Sequence, residues 1–196
     1  MGNGCRGLHN FQGERRSYMQ FFEKTVKQSV IYNGKILNVH VDEVELCDGR
    51  RAKREVCDHP GGVGILPLDG QGNVLLVRQF RYPYGEELLE IPAGKLEPGE
   101  DPYECGVREL REETGCSADE IVPLGVVYPS PGYVNEKLYL YLAKGLHAGK
   151  ACPDEDEFLS VEKIKFDELL SMIDQDRIHD AKTVTAALKA ARIIKR

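Results

Sequence analysis

The first part of the chain shows an alternation of apolar and polar residues that is typical of β-structure. Between residues 25 and 58 this alternation is imperfect, and Asp48-Gly49 is a dipeptide that favours a hairpin turn. One strand is therefore expected before the turn and a second around Lys53–Cys57. Because the segment precedes the first strongly apolar run, it forms either a small sheet of its own or the edge of a larger one.

The remainder of the chain alternates short apolar runs with amphipathic segments, which predicts an α/β domain whose sheet is mixed or largely antiparallel. The most clearly marked helix follows Asp101, a good N-cap residue, with Pro102 at its first position and Gly115 beyond its end. The predicted strands are Val63–Leu68, Val74–Phe80, Leu88–Ile91, Ile121–Val127, Leu138–Ala143 and Phe158–Ile164, and the predicted helices are Pro102–Thr114, Asp167–Asp174 and Ala181–Ile194.

Composition limits the class of protein. The 196 residues correspond to one main domain at 59–196, an N-terminal β-segment at 14–58 and a loose end at 1–13. The net charge of −6 argues against a nucleic-acid-binding face, and no apolar run reaches the roughly 18 residues of a membrane span. Because the chain lacks a secretory signal and its six cysteines form no C-x-x-C pair, we expect a cytoplasmic protein with reduced thiols.

Three glutamates of the predicted helix form a candidate site. Glu109, Glu112 and Glu113 are spaced i, i+3 and i+4, so their carboxylates share one helix face. Like charges at this spacing destabilise a helix, and Mg²⁺ or Mn²⁺, which prefer oxygen ligands, would compensate. The alternative is a solvated acidic face that is neutralised by Arg108 and Arg111, which is the usual case for such a pattern.

The segment before the helix favours the metal site. Gly94 begins a loop that contains Pro98-Gly99, and Glu100 lies just before the N-cap. This loop returns the end of the preceding strand, Pro92-Ala93-Gly94, to the glutamate face. Backbone carbonyls at the strand end would then add oxygen ligands to those of the helix.

These positions resemble the signature of the Nudix hydrolases, G-x5-E-x7-R-E-U-x-E-E-x-G-U, in which U is a bulky aliphatic residue. The last position departs from it, because Cys116 is apolar but not aliphatic. The resemblance implies an α/β/α sandwich with a mixed sheet and metal-assisted hydrolysis of a nucleoside diphosphate linked to another group. The matching residues are Gly94, Glu100, Arg108, Glu109, Leu110, Glu112, Glu113 and Gly115.

A second resemblance is narrower. The loop Ser130–Glu136 is similar to that of the ADP-ribose pyrophosphatase subfamily, as is the spacing from Gly115 to Pro131. Asn135 stands where aspartate is common, which is expected to weaken a contact near the site, and the chain has no tryptophan to stack on adenine. The other similar segments are Arg54-Glu55-Val56, His59-Pro60-Gly61, Arg78-Gln79-Phe80-Arg81 and Asp180-Ala181-Lys182-Thr183.

The resemblance implies a role for each site residue. Arg108 and Glu100 would orient the metal ligands, as outer-shell groups do, and Gly94 would support them. Arg54 and Arg81 would bind the diphosphate through their guanidinium groups, although each is also explained as a surface cation on a strand. The implied metal ligands are the Ala93 carbonyl, Glu109, Glu112, Glu113 and Glu136.

The general base is expected to lie outside the helix, because bound cations lower the basicity of the helix carboxylates. Glu136 is the only acidic residue of the loop Tyr128–Lys137 and would act as base or, with the loop closed, as a metal ligand. Glu112 is the other candidate base. Alternatively, Glu136 pairs with Lys137 or caps the next strand.

We therefore expect an enzyme that hydrolyses ADP-ribose to AMP and ribose 5-phosphate with Mg²⁺ or Mn²⁺. There are two alternatives. The substrate is another nucleoside diphosphate sugar, or the protein is a non-catalytic ADP-ribose sensor. A homodimer is expected because a lone hairpin is marginally stable in water, and the resemblance implies that Arg54 reaches the partner's site. His59 and His179 are interpreted as surface or turn-capping residues.

Overall fold

The structure is a computed structural model that describes residues 21–152 and 158–194. The expected loose end at 1–13 lies outside these residues, as does the beginning of the N-terminal segment. The elements in chain order are β1 (Glu23–Asn33), β2 (Asn38–Leu46), β3 (Arg51–Asp58), β4 (Gly62–Leu68), β5 (Asn73–Arg81), β6 (Glu86–Glu90), β7 (Ala93–Lys95), α1 (Pro102–Thr114), β8 (Cys116–Val127), β9 (Leu138–Ala148), β10 (Leu159–Lys165), α2 (Phe166–Asp174) and α3 (Ala181–Ile194).

The main sheet is mixed, as the sequence predicts. Its strands lie in the order β10-β5-β4-β9-β8, with β6 beside β5 and β7 beside β4. The β4–β9 pair is parallel and the other pairs are antiparallel. Strands β8 and β9 extend beyond their predicted ends, because polar residues such as Ser117 and Glu120 pair with the end of β9 where the apolar pattern has faded.

Helices cover both faces of this sheet. Successive side chains of a strand point to opposite faces, and Ile65 and Leu66 of β4 are both fully buried. Ile65 packs in a cluster with Leu110 of α1, whereas Leu66 packs with Leu169 of α2 and Ala186 of α3. The α/β/α sandwich is therefore confirmed.

Helix α1 has the ends that its sequence predicts. Asp101 accepts a hydrogen bond from the Tyr103 N–H at 2.8 Å, and Pro102 occupies the first position, where no N–H is needed. Gly115 adopts a left-handed conformation with φ of 72°, which favours glycine, and its N–H donates to the Arg111 carbonyl. These caps fix where the glutamate face begins and ends.

The N-terminal segment forms a sheet of its own, in the order β1-β2-β3. The hairpin between β2 and β3 is confirmed, but β1 was not predicted as a separate strand. Two register shifts interrupt the pairing of β1 with β2, so its apolar residues do not keep a period of two. Nearly every residue of β1 is exposed in the single chain. No helix among the described residues is long and apolar enough to cross a membrane.

Candidate active site

A cavity of about 610 Å³ lies where the end of β7, the loop before β9 and the start of α3 meet. It brings together groups from distant parts of the sequence, both acidic and basic. Of the predicted site residues, Ala93, Gly94, Arg81 and Glu136 line it. The helix glutamates do not line the cavity but adjoin β7, whose residues Ala93 and Gly94 do. The lining residues that sequence reasoning did not assign to the site include His59 and Lys182.

Helix α1 packs its carboxylates against the backbone of β7. The Ala93 N–H donates to Glu113 Oε2 at 2.9 Å, and Glu113 is only 2% exposed. A Cβ atom at Gly94 would lie 1.7 Å from Glu109 Oε1, so only glycine leaves room for that carboxylate. The strand end and the glutamate face therefore meet, as the loop between them predicts.

Arg108 neutralises this face from its outer side. Its guanidinium donates to Glu100 Oε1 at 2.9 Å, to Glu109 Oε1 at 2.7 Å and to Glu112 Oε2 at 2.9 Å. The hydrogen bonds from Arg108 lower the pKa of Glu100 to about 2, and Glu100 in turn raises the pKa of Arg108. The Arg108 contacts are those of the alternative interpretation, but Glu109 and Glu113 are buried, so the face is not simply solvated.

The donors fit a hard divalent cation in kind. Glu109, Glu112 and Glu113 supply oxygen ligands beside a strand end whose Gly94 leaves space for a carboxylate. Within the described ranges, no group of three or more His, Cys, Asp or Glu side chains is arranged so that it could hold a metal ion without rearrangement. Arg108 bridges Glu109 and Glu112, so binding an ion between these two requires the guanidinium to move.

Glu136 lies on the loop side of the cavity. Its Oε1 atom is 3.4 Å from His59 Nδ1, and His59 Nδ1 also accepts a hydrogen bond from the Gly61 N–H at 3.1 Å. The contact of Glu136 is therefore with His59, and the described residues show no ion pair between Glu136 and Lys137. An Nδ1 atom that accepts the Gly61 N–H carries no proton in that tautomer, so it does not donate to the Glu136 carboxylate.

His59 and His179 were both interpreted as surface or capping residues. The bond from Gly61 confirms the capping contact of His59, but its imidazole is also half-buried and lines the cavity. His179 borders the cavity, yet its side chain is 61% exposed and lies 3.7 Å from Asp176, as expected of a surface group. The proximity of His59 to Glu136 could not be read from two residues so far apart in sequence.

A network of four charged residues forms the basic end of the cavity. Arg81 donates to both oxygens of Glu90, at 2.7 Å each, and Lys182 bonds to Glu90 and, at 2.9 Å, to Asp180. Burial opposes the ionisation of Glu90, which is 1% exposed, but the two cations lower its pKa overall. Sequence reasoning missed Glu90, although an acid at the end of an apolar strand signals a buried partner.

The start of α3 is also tied to the strand that leads to the glutamate site. Asp180 accepts hydrogen bonds from the N–H and hydroxyl of Thr183. The Thr183 hydroxyl oxygen in turn accepts from the Ile91 N–H at 2.8 Å. The chain just before Ala93 is therefore held in place by the same helix end that supplies Lys182.

Arg54 is not brought into the cavity of its own chain. It lies on β3 and pairs with Glu23, whose Oε1 and Oε2 atoms are 2.5 Å and 2.8 Å from Nη2 and Nε. Both side chains are about two-fifths exposed, at 42% and 40%. Any contact of Arg54 with a substrate therefore needs a second copy of the chain or a rearrangement.

Two family models match the chain. The model described as "NUDIX domain" matches residues 58–187, which contain the glutamates, the loop with Glu136 and the network at α3. The model described as "Nucleoside diphosphate sugar hydrolase N-terminal domain" matches residues 23–57, which form the separate sheet. Together they cover almost all of the described residues.

Curated relatives and a solved structure agree with these models. The chain is 42% identical over 168 residues to the methanol dehydrogenase activator of Bacillus methanolicus, covering 85% of this chain and 91% of that protein. It is 39% identical over 166 residues to the ADP-ribose pyrophosphatase of Bacillus subtilis (strain 168), covering 84% and 90%. A crystal structure of an ADP compounds hydrolase has the same fold, with a TM-score of 0.78 at 20% identity over 88% of this chain and 94% of that one.

Proposed function

The chain belongs to the Nudix family and is a Nudix pyrophosphohydrolase, and from that premise we propose that it hydrolyses ADP-ribose to AMP and ribose 5-phosphate with the help of Mg²⁺ or Mn²⁺. The observation that carries the proposal is the arrangement of charge around one cavity. Buried carboxylates adjoin it at β7, a further carboxylate faces it at Glu136, and Arg81 and Lys182 border it. A diphosphate needs cations along its oxygens and a base for the attacking water.

The metal would be held by Glu109, Glu113 and the Ala93 carbonyl, with Glu112 close by and Glu136 as an alternative ligand once its loop has closed. When bound, it would neutralise charge on the diphosphate and activate water. Arg108 and Glu100 hold the carboxylates in place until then, because Arg108 bonds to Glu100 and Glu109 at once. These outer contacts orient the ligands rather than bind the ion.

Glu136 would accept the proton of the attacking water. Its neighbour His59 has its Nδ1 lone pair bound to the Gly61 N–H, so the imidazole does not donate to the Glu136 carboxylate in that tautomer. The loop of Glu136 also contains Pro129, Pro131 and Gly132, which shape a segment that closes over a substrate. If Glu136 ligates the metal instead, Glu112 is the base that remains.

Arg81 would contact the phosphates. Two of its nitrogens, Nε and Nη2, are occupied by Glu90, which leaves Nη1 for a phosphate oxygen. Glu90 and Lys182 would then fix the direction of the guanidinium rather than touch the substrate. This division of donors also accounts for a buried glutamate beside a site for an anionic ligand.

We propose that the protein is a homodimer in which residues 14–58 pack against a partner and Arg54 contributes to the partner's cavity. The support is the exposed apolar surface of β1, where Val30 is 68%, Ile31 65% and Tyr32 57% exposed in the single chain. Apolar patches of this kind mark protein interfaces. The five cysteines of the described residues are free thiols, which supports the proposed cytoplasmic location.

The substrate is tested by incubating the protein with ADP-ribose and Mg²⁺ and by following AMP and ribose 5-phosphate. We expect both products, and the highest kcat/KM for ADP-ribose in a panel of nucleoside diphosphate sugars. The matched N-terminal model, named for nucleoside diphosphate sugar hydrolases, favours another sugar nucleotide as the second candidate. Binding of ADP-ribose without turnover would contradict the proposal and indicate a sensor.

The dimer is tested by mixing two impaired variants, Arg54→Ala and Glu113→Gln. If Arg54 acts in the partner's site, a mixed dimer contains one site in which both residues are intact, so refolding the two together restores activity. If Arg54 acts in its own chain, every site of the mixed dimer carries one defect and no activity returns. A monomer by light scattering at micromolar concentration would contradict the dimer directly.

A further inference from the structure

The loop that carries Glu136 is attached to the N-terminal sheet. The Cys57 N–H donates to the Tyr133 carbonyl at 2.7 Å, and the Asn135 N–H donates to the Cys57 carbonyl at 3.2 Å. These bonds form a short parallel bridge between Cys57 and Val134. Because β3 ends at Asp58, the loop runs beside the end of a strand that belongs to the separate sheet.

The Asn135 side chain joins this strand end to the cavity. Its Nδ2 atom donates to Asp58 Oδ1 at 2.5 Å, and its Oδ1 atom accepts from the His59 N–H at 2.9 Å. A carboxylate can only accept and a backbone N–H can only donate, so the two partners require the two different ends of an amide. An aspartate at this position could accept from His59 but would set a second carboxylate against Asp58.

The expected weakening of a contact by Asn135 stays a prediction, but the amide makes two contacts of its own. With Asp58 beside it, asparagine is the residue that satisfies both neighbours. The sequence alone does not pair residues 58 and 135, because no local pattern links two positions so far apart.

We propose that Asn135 is a positioning residue for Glu136. It binds the His59 backbone on one side, and the next residue, Glu136, has its carboxylate 3.4 Å from the His59 imidazole on the other. The Asn135 amide thus fixes the backbone next to Glu136, and it is itself held by Asp58 of the N-terminal sheet. This inference rests on the proposed role of Glu136 in turnover.

The variant Asn135→Asp tests the inference directly. At neutral pH it places two carboxylates in contact, so the loop is pushed away from Asp58. We expect kcat to fall about tenfold, because small displacements of a reacting group are costly, while KM stays within about twofold. A loss confined to kcat separates positioning of Glu136 from weaker binding of the substrate.

A second substitution exchanges the two groups. In Asp58→Asn with Asn135→Asp, the amide now lies at 58 and the carboxylate at 135, so the donor–acceptor pair is restored in reverse. The amide oxygen at 58 would still face His40 Nε2, which lies 3.4 Å from Asp58 Oδ2. We expect the double variant to recover most of the lost kcat, which a merely destabilising change would not do.

A matched control is Gln71→Glu, which makes the same amide-to-carboxylate change in the exposed turn between β4 and β5. No residue of that turn lines the cavity, and we expect wild-type kcat. Thermal unfolding of all variants shows whether the Asn135→Asp protein is folded at the assay temperature. If it is not, Asn135→Ala removes the amide without adding charge, and we expect the same confined loss of kcat.

Hydrogen exchange of the segment 128–138 gives a readout that does not depend on catalysis. We expect faster exchange in Asn135→Asp and wild-type exchange in the double variant. If the wild-type protein turns over no nucleoside diphosphate sugar, the proposed function fails. The exchange pattern alone then shows whether Asn135 fixes the loop to Asp58. An unchanged kcat in an active enzyme, a kcat loss that the double variant does not recover, or unchanged exchange would each overturn the inference.

Discussion

One wall of the cavity is formed by Ala93–Lys95 with α1 behind it, and its contacts join parts of the chain that are close in sequence. The other wall contains His59 and the loop of residues 129–137, and its contacts join distant parts of the chain. Ala93 and Glu113, which bond to each other, are 20 positions apart. Asn135 and its partners His59 and Asp58 are 76 and 77 positions apart. Glu109 and Glu113 behind the first wall are buried, while Asn135 is exposed. The contacts on the glutamate side are thus local in sequence, whereas those on the Glu136 side depend on how two sheets meet.

The largest effect is expected at the first wall. Glu113→Gln keeps an oxygen that accepts from the Ala93 N–H, so the fold should be retained, but it removes the negative charge that a cation requires. We expect kcat for ADP-ribose to fall by roughly 10²–10³-fold. Near wild-type turnover at saturating Mg²⁺, measured by AMP release, would mean that Glu113 does not hold the metal.

This wall could largely be predicted from sequence. The spacing of Glu109, Glu112 and Glu113, with an N-cap before them and Gly115 after them, fixes one helix face, and the loop from Gly94 returns the strand to it. A helix period and a capped end are local properties, so they are readable without the rest of the chain. The mixed sheet was predictable from such local patterns, whereas helices on both of its faces were expected only from the resemblance to the Nudix hydrolases.

The other wall could not be predicted in the same way. The pairings of Asn135 with Asp58 and of Arg81 and Lys182 with Glu90 join positions whose distance is set by the packing of sheets and helices. Strand β1 was also missed, since its register shifts hide the period of two. The tertiary contacts of charged groups could therefore not be predicted, because the residue types alone do not identify which groups pair.

A smaller loss is expected at the basic end of the cavity, in stability and in substrate affinity. Glu90→Gln keeps the shape of the side chain but removes the charge that pairs with Arg81 and one of the two that pair with Lys182, which still contacts Asp180, at a cost of about 2–3 kcal/mol. KM for ADP-ribose should rise because Arg81 is no longer held. Chemical denaturation and steady-state kinetics measure the two effects.

A matched control for this variant is Glu162→Gln. It breaks the pair of Glu162 with Arg78, in which both side chains are 36% exposed, so a loss below about 1 kcal/mol is expected. Equal destabilisation by the two substitutions would contradict the stabilising role assigned to the buried Glu90 carboxylate.

The smallest effect is a pH dependence of stability at Glu100. Its pKa in the folded chain falls from the usual 4.5 to about 2, so the ionised form is stabilised by folding. That stability is fully present above the unfolded pKa and is lost as pH falls through the folded pKa. Glu100→Gln should therefore be less stable than wild type at about pH 7. The difference should shrink as pH is lowered from about 4.5 towards 2.

Denaturant unfolding at several pH values measures this difference. The control is Glu97→Gln, which removes an exposed carboxylate from the same loop, and its stability difference from wild type should stay small at every pH. A difference for Glu100→Gln that does not depend on pH would contradict the role assigned to the Arg108–Glu100 pair.

The measurement that tests the account most directly is the kcat of Glu136→Gln with ADP-ribose, taken together with its affinity for Mg²⁺. If Glu136 is the base delivered by the loop, kcat falls by roughly 10²–10⁴-fold, KM changes little and Mg²⁺ affinity of the free enzyme stays near wild type. A kcat within about twofold of wild type, which is a barrier change under roughly 0.5 kcal/mol, would contradict the account and move the base to Glu112 or to water activated without a protein base.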